Sequence, residues 1–273
     1  MKKCGFIAVL GETNAGKSML INKLVGQKVS IVSRKIQTTL FRILGIAIKD
    51  ESQIIFIDTP GFSSKAKNLE QTTWNAFRES EQILFVIDGS KKKFDLSVEM
   101  LKKIHADKKI SLAINKVDLI HKPMLLETAA IFNKIRSFEN IFMVSALTGS
   151  GVEDIKKYFA SSMPENEWLY DENEITDLSF EKYAAEITRE HVYHRIHEEI
   201  PYQCTIETVD CQNQSDGSMR IEQNIYVKSI PHKTIFVGHD GQKIKSIGEA
   251  ARKELSFLLE KKVHLFLRVL VNR

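Results

Sequence analysis

Short apolar runs alternate with longer amphipathic stretches through the first 160 residues of the chain. The apolar runs predict buried strands at residues 4–10, 53–57, 83–87, 110–114 and 141–144. Alternating residues at 41–48 predict one further strand, which a turn at 49–52 joins to the next. The amphipathic stretches predict helices at 17–25, 69–79, 96–104, 123–136 and 152–159. Strands that alternate with helices are typical of a mainly parallel, doubly wound α/β sheet, which binds its ligands at the carboxyl ends of the strands.

The pattern changes after residue 163. Residues 164–178 begin with an acidic stretch that is typical of a solvated linker, and residues 180–198 predict an amphipathic helix. Strands are predicted at 205–210, 219–229 and 263–271, with a helix at 242–260 before the last of them. These elements predict a smaller α+β domain at residues 179–273, distinct from a first domain at residues 1–163.

The predicted helix at 180–198 has an apolar face to which four residues contribute: Tyr183, Ala184, Ile187 and Ile196. His191, His194 and His197 recur on the same helix at every third position. Because three side chains at this spacing spread over roughly 120° of a helix, we interpret them as a polar face rather than as metal ligands.

Composition sets broad limits on the function. Of the 273 residues, 43% are hydrophobic and 27% charged, which is typical of a globular protein with room for two cores. A net charge of +4 permits an anionic partner without demonstrating one. No apolar stretch approaches about 18 residues, and no cleavage site follows the N-terminal run, so we expect a cytoplasmic protein. Cys4, Cys204 and Cys211 lack C-x-x-C spacing, and we expect them to be reduced.

The stretch between the first predicted strand and its helix carries the strongest chemical signal. It fits the phosphate-loop pattern G-x-x-x-x-G-K-[ST] and supplies the candidate nucleotide-binding residues Gly11, Glu12, Thr13, Asn14, Ala15, Gly16, Lys17, Ser18 and Met19. Glycines let backbone N–H groups surround an anion, and the helix N-terminus adds its positive end. Lys17 is expected to reach the β- and γ-phosphates and Ser18 to ligate Mg²⁺. The alternative is a turn that binds nothing, which three fixed residue types in this context argue against.

A second motif, Asp58-Thr59-Pro60-Gly61, follows the predicted strand at 53–57. A carboxylate at this place can hold Mg²⁺ through its water shell, although a lone aspartate is also common in turns. Gly61 has no side chain and can offer its N–H group to the γ-phosphate. The motif therefore supports a nucleoside triphosphate and magnesium as ligands.

Two further motifs concern the base. Asn115-Lys116-Val117-Asp118 closes the predicted strand at 110–114. The Asp118 carboxylate can accept from N1–H and the exocyclic amino group of guanine, a donor pair that adenine lacks, and so selects GTP over ATP. Ser145-Ala146-Leu147 follows the strand at 141–144 and can close over the base from the other side, a signal that is weak by itself.

The C-terminal region carries a candidate nucleic-acid site. The loop Gly238-His239-Asp240-Gly241 fits the G-x-x-G pattern with which KH domains clamp a few single-stranded nucleotides. Lys243 and Lys245 follow it, within a region of 30 residues that has seven Lys or Arg against four Asp or Glu. Asp240 places a carboxylate where a phosphate should pass, so it either opposes RNA or caps the helix that follows. A packed α/β cap without RNA is the alternative for this region.

Together the motifs carry a family resemblance. The phosphate loop, Thr38-Thr39, D-T-P-G, N-K-V-D and S-A-L, in this order and spacing, resemble the translation-factor-like GTPases. Residues 33–39 and the segment downstream of Phe180 are similar to the Era family of ribosome-assembly GTPases, and the resemblance covers nearly the whole chain. The chain departs from that family at Thr13, usually proline, and at Leu40-Phe41, where a basic pair is common.

The resemblance implies a GTPase that uses GTP/GDP and Mg²⁺, with Lys17, Thr39 and Gly61 as catalytic residues and Thr39 on the metal together with Ser18 and Asp58. Phe62 stands where related switches have a glutamine that orients water, and the resemblance to potassium-dependent GTPases implies K⁺ at Asn14. It further implies binding to the 3′ end of small-subunit ribosomal RNA, maturation of that 30S-type subunit and a loose association with the inner face of the membrane. We expect a monomer.

Two other classes of protein share parts of this pattern. A tRNA-modification or tandem GTPase would share the nucleotide motifs, but the sequence has one phosphate loop and no room for a second enzyme domain. An RNA-binding scaffold with an inert nucleotide site would keep the G-x-x-G loop. The presence of Lys17, Ser18, Thr39 and Asp58 argues against that scaffold, and a turnover assay separates the two hypotheses.

Overall fold

The computed structural model describes residues 1–33, 42–62, 75–105, 108–196 and 200–272. The chain divides into two compact units, Met1–Asp177 and Leu178–Arg273. Unit 1 carries the phosphate loop and the base motifs, and unit 2 carries the G-x-x-G loop.

Unit 1 is built on a six-stranded sheet whose strand order is β2-β3-β1-β4-β5-β6. Its strands are β1 Lys3–Gly11, β2 Ile43–Lys49, β3 Ser52–Asp58, β4 Gln82–Asp88, β5 Lys109–Asn115 and β6 Ile141–Met143. All neighbours pair in parallel except β2 and β3, which form the predicted hairpin with Lys49 opposite Ser52. The predicted doubly wound sheet is therefore confirmed.

Helices cover both faces of this sheet. They are α1 Lys17–Val25, α2 Asp95–Lys103, α3 Lys122–Ile135 and α4 Val152–Ser162, and residues 75–79 form a further short helical segment. Successive residues of a strand point to opposite faces. Thus Ile7 and Val9 of β1 pack with α1 and α4, whereas Ala8 and Leu10 pack with α2 and α3. The two apolar layers fix the strand ends that carry the polar motifs.

Residues 164–177, which the composition predicted to be part of a solvated linker, belong to unit 1 and contact its strands β2 and β3. The buried Gln53 side chain donates to the Tyr170 carbonyl at 2.8 Å and accepts from the Leu169 N–H at 2.9 Å. The Asp177 carboxylate accepts from the Leu44 N–H at 3.1 Å. These bonds occupy polar groups of β2 and β3, which explains why an acidic stretch can pack there.

Unit 2 is a three-stranded sheet of order β7-β8-β9 with helices beside it. Its strands are β7 Cys204–Asn213, β8 Met219–Val227 and β9 Val263–Val271, and its helices are α5 Phe180–Arg195, α6 Ile230–Val237 and α7 Gln242–Leu258. β8 pairs antiparallel with β7 and parallel with β9. The predicted α+β class holds for this unit, while the predicted end of α5 at residue 198 falls beyond the observed end at Arg195.

Helix α5 buries three charged residues. Glu186, Arg189 and Glu190 are each less than one-tenth exposed. Arg189 donates from Nε to Glu186 at 2.8 Å and from Nη1 to the Tyr193 hydroxyl at 2.9 Å. A buried guanidinium is tolerated because these partners satisfy its donors.

Candidate GTP site and nucleic-acid loop

The phosphate loop runs from the end of β1 into α1. Gly16 has φ +93°, and a Cβ atom there would lie 2.3 Å from the Asn115 side chain. At Gly11 the same atom would lie 2.1 Å from the Val86 carbonyl oxygen. Both glycines of the motif are therefore required for packing as well as for turning the backbone. Ala15 is fully buried beneath the loop.

Lys17 lies at the start of α1 and is only 6% exposed. Its Nζ donates to the carbonyl oxygens of Gly11 and Glu12, each at 3.1 Å, so the ammonium is held inside the loop. Burial lowers the pKa of Lys17 to about 8, against the attraction of the Asp58 and Glu12 carboxylates, which raises it. A bound anion would favour the charged form of this lysine.

Ser18 and Asp58 meet at the sheet edge beside Lys17. The Ser18 hydroxyl donates to Asp58 Oδ2 at 2.7 Å, and Asp58 is fully buried at the end of β3. A hydroxyl and a carboxylate at this distance form an all-oxygen donor pair of the kind that Mg²⁺ prefers. The two residues assigned to magnesium from the sequence are thus brought together and fit the ion.

The D-T-P-G segment is tied directly to the phosphate loop. Thr59 is buried and donates from its hydroxyl to the Val9 carbonyl at 2.9 Å. A Cβ atom on Gly61 would lie 2.6 Å from the Thr13 Cα, so only glycine fits there. The Phe62 backbone bonds to Gly11 at 3.2 Å and to Thr13 at 3.1 Å, while its ring packs on the apolar core. The Phe62 backbone therefore holds the D-T-P-G segment against the phosphate loop.

Asn115 joins the phosphate-binding and base-binding motifs. Its Nδ2 donates to the Ala15 carbonyl at 2.8 Å, and its Oδ1 accepts from the Ala146 N–H at 2.9 Å. The residue is 1% exposed. Three motifs that lie 100 and 31 residues apart along the chain are thus held in one network by a single buried amide.

The other residues that the sequence predicts to read the base are Asp118 and the S-A-L turn. Asp118 is exposed in a short 3₁₀ turn, Val117–Leu119, so its carboxylate is accessible. Ser145 is fully buried and accepts from the Thr148 N–H at 3.1 Å, which shapes the S-A-L turn. Leu147 at the end of that turn is 65% exposed and provides an apolar surface near the sheet edge.

The segment after β4 contributes residues that sequence reasoning missed. Asp88, the last residue of β4, pairs with Lys116 at 2.5 Å and accepts from the Ser90 N–H at 3.0 Å. Burial would raise the pKa of Asp88, but the bonds from Lys116 and Ser90 outweigh it and hold that pKa below its usual range. The available signal was positional, since Asp88 ends a buried strand at the carboxyl edge.

Other predicted residues of unit 1 are placed as follows. Asn14 has φ +64°, within the loop, and Pro60 is buried between Thr59 and Gly61. Met19 lies in the first turn of α1 and packs against the core. Thr38 and Thr39 lie outside the described residues. Cys4, Cys204 and Cys211 carry free thiols, as expected.

The G-x-x-G loop of unit 2 connects α6 and α7. Gly238 has φ +74°, and a Cβ atom there would lie 2.7 Å from the Lys243 Cβ. His239 and Asp240 pair with each other at 3.0 Å and are both largely exposed. Lys245 is exposed and Lys243 half-buried at the start of α7. Of the two alternatives for Asp240, the structure does not place it as the cap, because the N-cap residue of α7 is Gly241 and no side chain accepts from the first N–H groups of the helix.

Metal binding and membrane insertion are two other functions on which the described residues bear. Within these ranges no group of three or more His, Cys, Asp or Glu side chains is placed to hold a metal ion. His191 instead pairs with Glu254 at 2.7 Å, which supports the interpretation of a polar helix face. Among the helices that the structure describes, none has the length and apolarity needed to cross a membrane.

Comparisons with known proteins follow the same division of the chain. Residues 6–116 match a family model described as 50S ribosome-binding GTPase, and residues 199–273 match a KH domain model. The GTPase Era of Sinorhizobium medicae is 48% identical over 277 residues, covering 99% of this chain and 89% of the relative. The GTPase Era of Caulobacter vibrioides is 42% identical over 291 residues, covering 99% and 92%.

Two solved structures are similar over the full length. A crystal structure of Era in complex with MgGDPNP and nucleotides 1506–1542 of 16S ribosomal RNA has a TM-score of 0.89 at 34% identity, covering 100% of this chain and 94% of that one. A structure of an Aquifex aeolicus Era variant bound to GDP·AlF₄⁻ has a TM-score of 0.88 at 33% identity, covering 99% and 94%. With a phosphate loop, a guanine motif and a C-terminal KH domain in one chain, this protein belongs to the Era family of GTPases.

Proposed function

We propose that the chain is a GTP-hydrolysing switch that binds single-stranded RNA at the 3′ end of the small-subunit ribosomal RNA and assists maturation of that subunit. The observation that carries the proposal is the buried Asn115 network, which joins the phosphate loop to the guanine motifs in one preformed site. The complex of a similar Era with MgGDPNP and 16S ribosomal RNA supports the RNA half.

In the nucleotide site, Lys17 and the N–H groups of the phosphate loop bind the phosphate oxygens and stabilise the charge that develops on them. Gly61 lies too close to Thr13 to carry a side chain, so its N–H group can face the phosphate oxygens. Ser18 and Asp58 would hold Mg²⁺, with Thr39 proposed to join them in the GTP state. The ion, when bound, supplies further positive charge to the transferring phosphoryl group.

Water activation differs from that of switches with a catalytic glutamine. Phe62 stands after D-T-P-G, and an aromatic ring can neither accept nor donate the hydrogen bonds that orient water. We therefore expect slow intrinsic GTP turnover. K⁺ bound at Asn14 would add positive charge near the phosphates. Multiple-turnover hydrolysis assays test this point and also separate the switch from an RNA-binding scaffold with an inert nucleotide site.

Guanine recognition is tested by Asp118→Asn. The exposed carboxylate matches the N1–H and amino donors of guanine, whereas an amide matches xanthine. We expect this variant to lose GTP affinity by about 10²-fold and to gain affinity for xanthosine triphosphate. Unchanged GTP binding would remove Asp118 from the base site.

RNA binding is assigned to the G-x-x-G loop and to Lys243 and Lys245 beside it. The loop allows a phosphate backbone to approach closely, and the start of α7 adds its positive end. Because Asp240 does not cap α7, its carboxylate remains at the exposed loop surface and opposes RNA. Asp240→Gly should therefore tighten RNA binding.

A binding titration with a single-stranded oligonucleotide of the 3′ end tests this surface. Lys243→Ala and Lys245→Ala should each weaken binding and flatten its salt dependence by about one counterion. Lys261→Ala is a matched control, since Lys261 is exposed in the turn after α7, at the opposite end of that helix from the loop. If Asp240→Gly, Lys243→Ala and Lys245→Ala all bind the oligonucleotide with the affinity of the parent, the loop is not the RNA site.

The proposal extends to a monomer with a loose association with membrane surfaces. Sedimentation of the purified protein tests the first expectation. Flotation with vesicles that contain anionic lipid tests the second.

A further inference from the structure

Glu12, the second residue of the phosphate loop, brings a carboxylate into an anion-binding site. The residue is 9% exposed. Lys91 donates from Nζ to Glu12 Oε2 at 2.5 Å, and the Ser97 hydroxyl donates to Glu12 Oε1. Lys91 lies in the loop after β4, and Ser97 lies in the first turn of α2, buried at 2% exposure. Both oxygens of the carboxylate are therefore held by one segment, residues 91–97.

An acidic side chain is a liability in this loop. The Glu12 carboxylate is close enough to Lys17 to raise the pKa of that lysine, and charges at such a range also act on phosphate oxygens near Lys17. Burial would raise the pKa of Glu12, but the bonds from Lys91 and Ser97 outweigh it and hold that pKa below its usual range. Glu12 is thus ionised at neutral pH, and its charge must be cancelled for nucleotide to bind well.

We propose that Lys91 is a positioning residue of the GTP site: it acts through Glu12, cancelling the charge of the carboxylate and holding it on α2 and away from the phosphates. The inference rests on the proposed role of the phosphate loop as a triphosphate site. The Lys91 side chain is 39% exposed and that of Glu12 is 12% exposed. Loss of Lys91 would leave a largely buried carboxylate without its cation, so we expect a loss of folding stability as well as of nucleotide binding.

This role makes a prediction that a structural salt bridge does not. Repulsion by an uncompensated carboxylate grows with the charge of the ligand, so the loss must be largest for GTP, smaller for GDP and absent for guanosine. A loop that is merely distorted would lose affinity in a pattern unrelated to ligand charge. The repulsion must also weaken as salt is added.

The test is a binding series with GTP, GDP and guanosine for four variants. Lys91→Met keeps the length of the side chain and removes its charge, and we expect about tenfold weaker GTP binding at low salt. The double variant Glu12→Gln with Lys91→Met should recover most of that loss, and Lys91→Arg should retain the affinity. Lys92→Met is the control, because Lys92 is exposed in the same loop.

Thermal unfolding of each variant without nucleotide accompanies the series. If the double variant binds no better than Lys91→Met, or if guanosine affinity falls as much as GTP affinity, the inference is overturned. If the wild-type protein itself binds no GTP, the proposed function is refuted instead. The two failures are therefore distinguishable.

Discussion

Lys17 makes nucleotide affinity depend on pH in a direction that the structure fixes. In the free protein its pKa is lowered to about 8 by burial, whereas a bound polyphosphate favours the ammonium and raises the pKa. The nucleotide therefore binds the protonated form. Affinity should be constant well below pH 8 and fall as pH rises through that value, since a growing fraction of the free protein must take up a proton first.

The size of the effect follows from the same pKa. At pH 9, about one protein in eleven carries a protonated Lys17, which weakens binding about tenfold, or by about 1.4 kcal/mol. Isothermal titration with GDP and Mg²⁺ between pH 6.5 and 9 measures it. Lys17→Arg is the control, because a guanidinium stays charged over this range and any titration of guanine itself is shared.

Two results would exclude protonation of Lys17 as the cause of the pH dependence. One is an affinity that stays constant to pH 9 in the wild-type protein, which would mean that Lys17 keeps an ordinary lysine pKa. The other is an equal decline in Lys17→Arg, which would assign the pH dependence to another group.

Three further predictions concern other parts of the two units. Asp88→Asn should raise KM for GTP several-fold with little change in kcat, because Lys116 loses the carboxylate that orients it. Such a contact would stabilise bound GTP and the transition state equally, so an equal fall in kcat would contradict that role. Gly238→Ala should lower the free energy of unfolding of unit 2 by about 3 kcal/mol in denaturant titrations, against about 1 kcal/mol for Gly217→Ala, because only the former adds a clash to its positive φ. Replacing K⁺ by Na⁺ should slow GTP hydrolysis, while Phe62→Ala keeps most of it; equal rates in both salts and an inactive Phe62 variant would refute both parts.

Much of the fold could be predicted because its signals are local. The apolar runs of β1, β3, β5 and β6 each end at a polar motif, so the sequence pattern alone brings Ser18 and Asp58 to the same sheet edge. In the structure Ser18 Oγ lies 2.7 Å from Asp58 Oδ2. The positions of Gly11, Gly16 and Gly61 were likewise predictable, since each motif requires a glycine at a fixed spacing.

What could not be predicted depends on contacts between distant residues. The pairs Asp88 with Lys116 and Glu12 with Lys91 join residues 28 and 79 positions apart, and no periodicity in the sequence connects them. Glu186 and Arg189 of α5 are charged residues three positions apart, and the sequence pattern does not show that they are buried against each other. Polar side chains that satisfy one another can be buried, and a one-dimensional pattern does not show which ones do so.

As a GTP-hydrolysing switch, the protein should bind ribosomal RNA with an affinity that depends on its nucleotide state. The most direct measurement is a titration of the single-stranded 3′-end oligonucleotide into the wild-type protein in three states: with Mg²⁺ and a non-hydrolysable GTP analogue, with GDP, and without nucleotide. We expect RNA affinity to differ between the first two states by about five- to 150-fold. By linkage, bound RNA should shift the affinity for the GTP analogue relative to that for GDP by the same factor. Identical RNA affinity in all three states would contradict it.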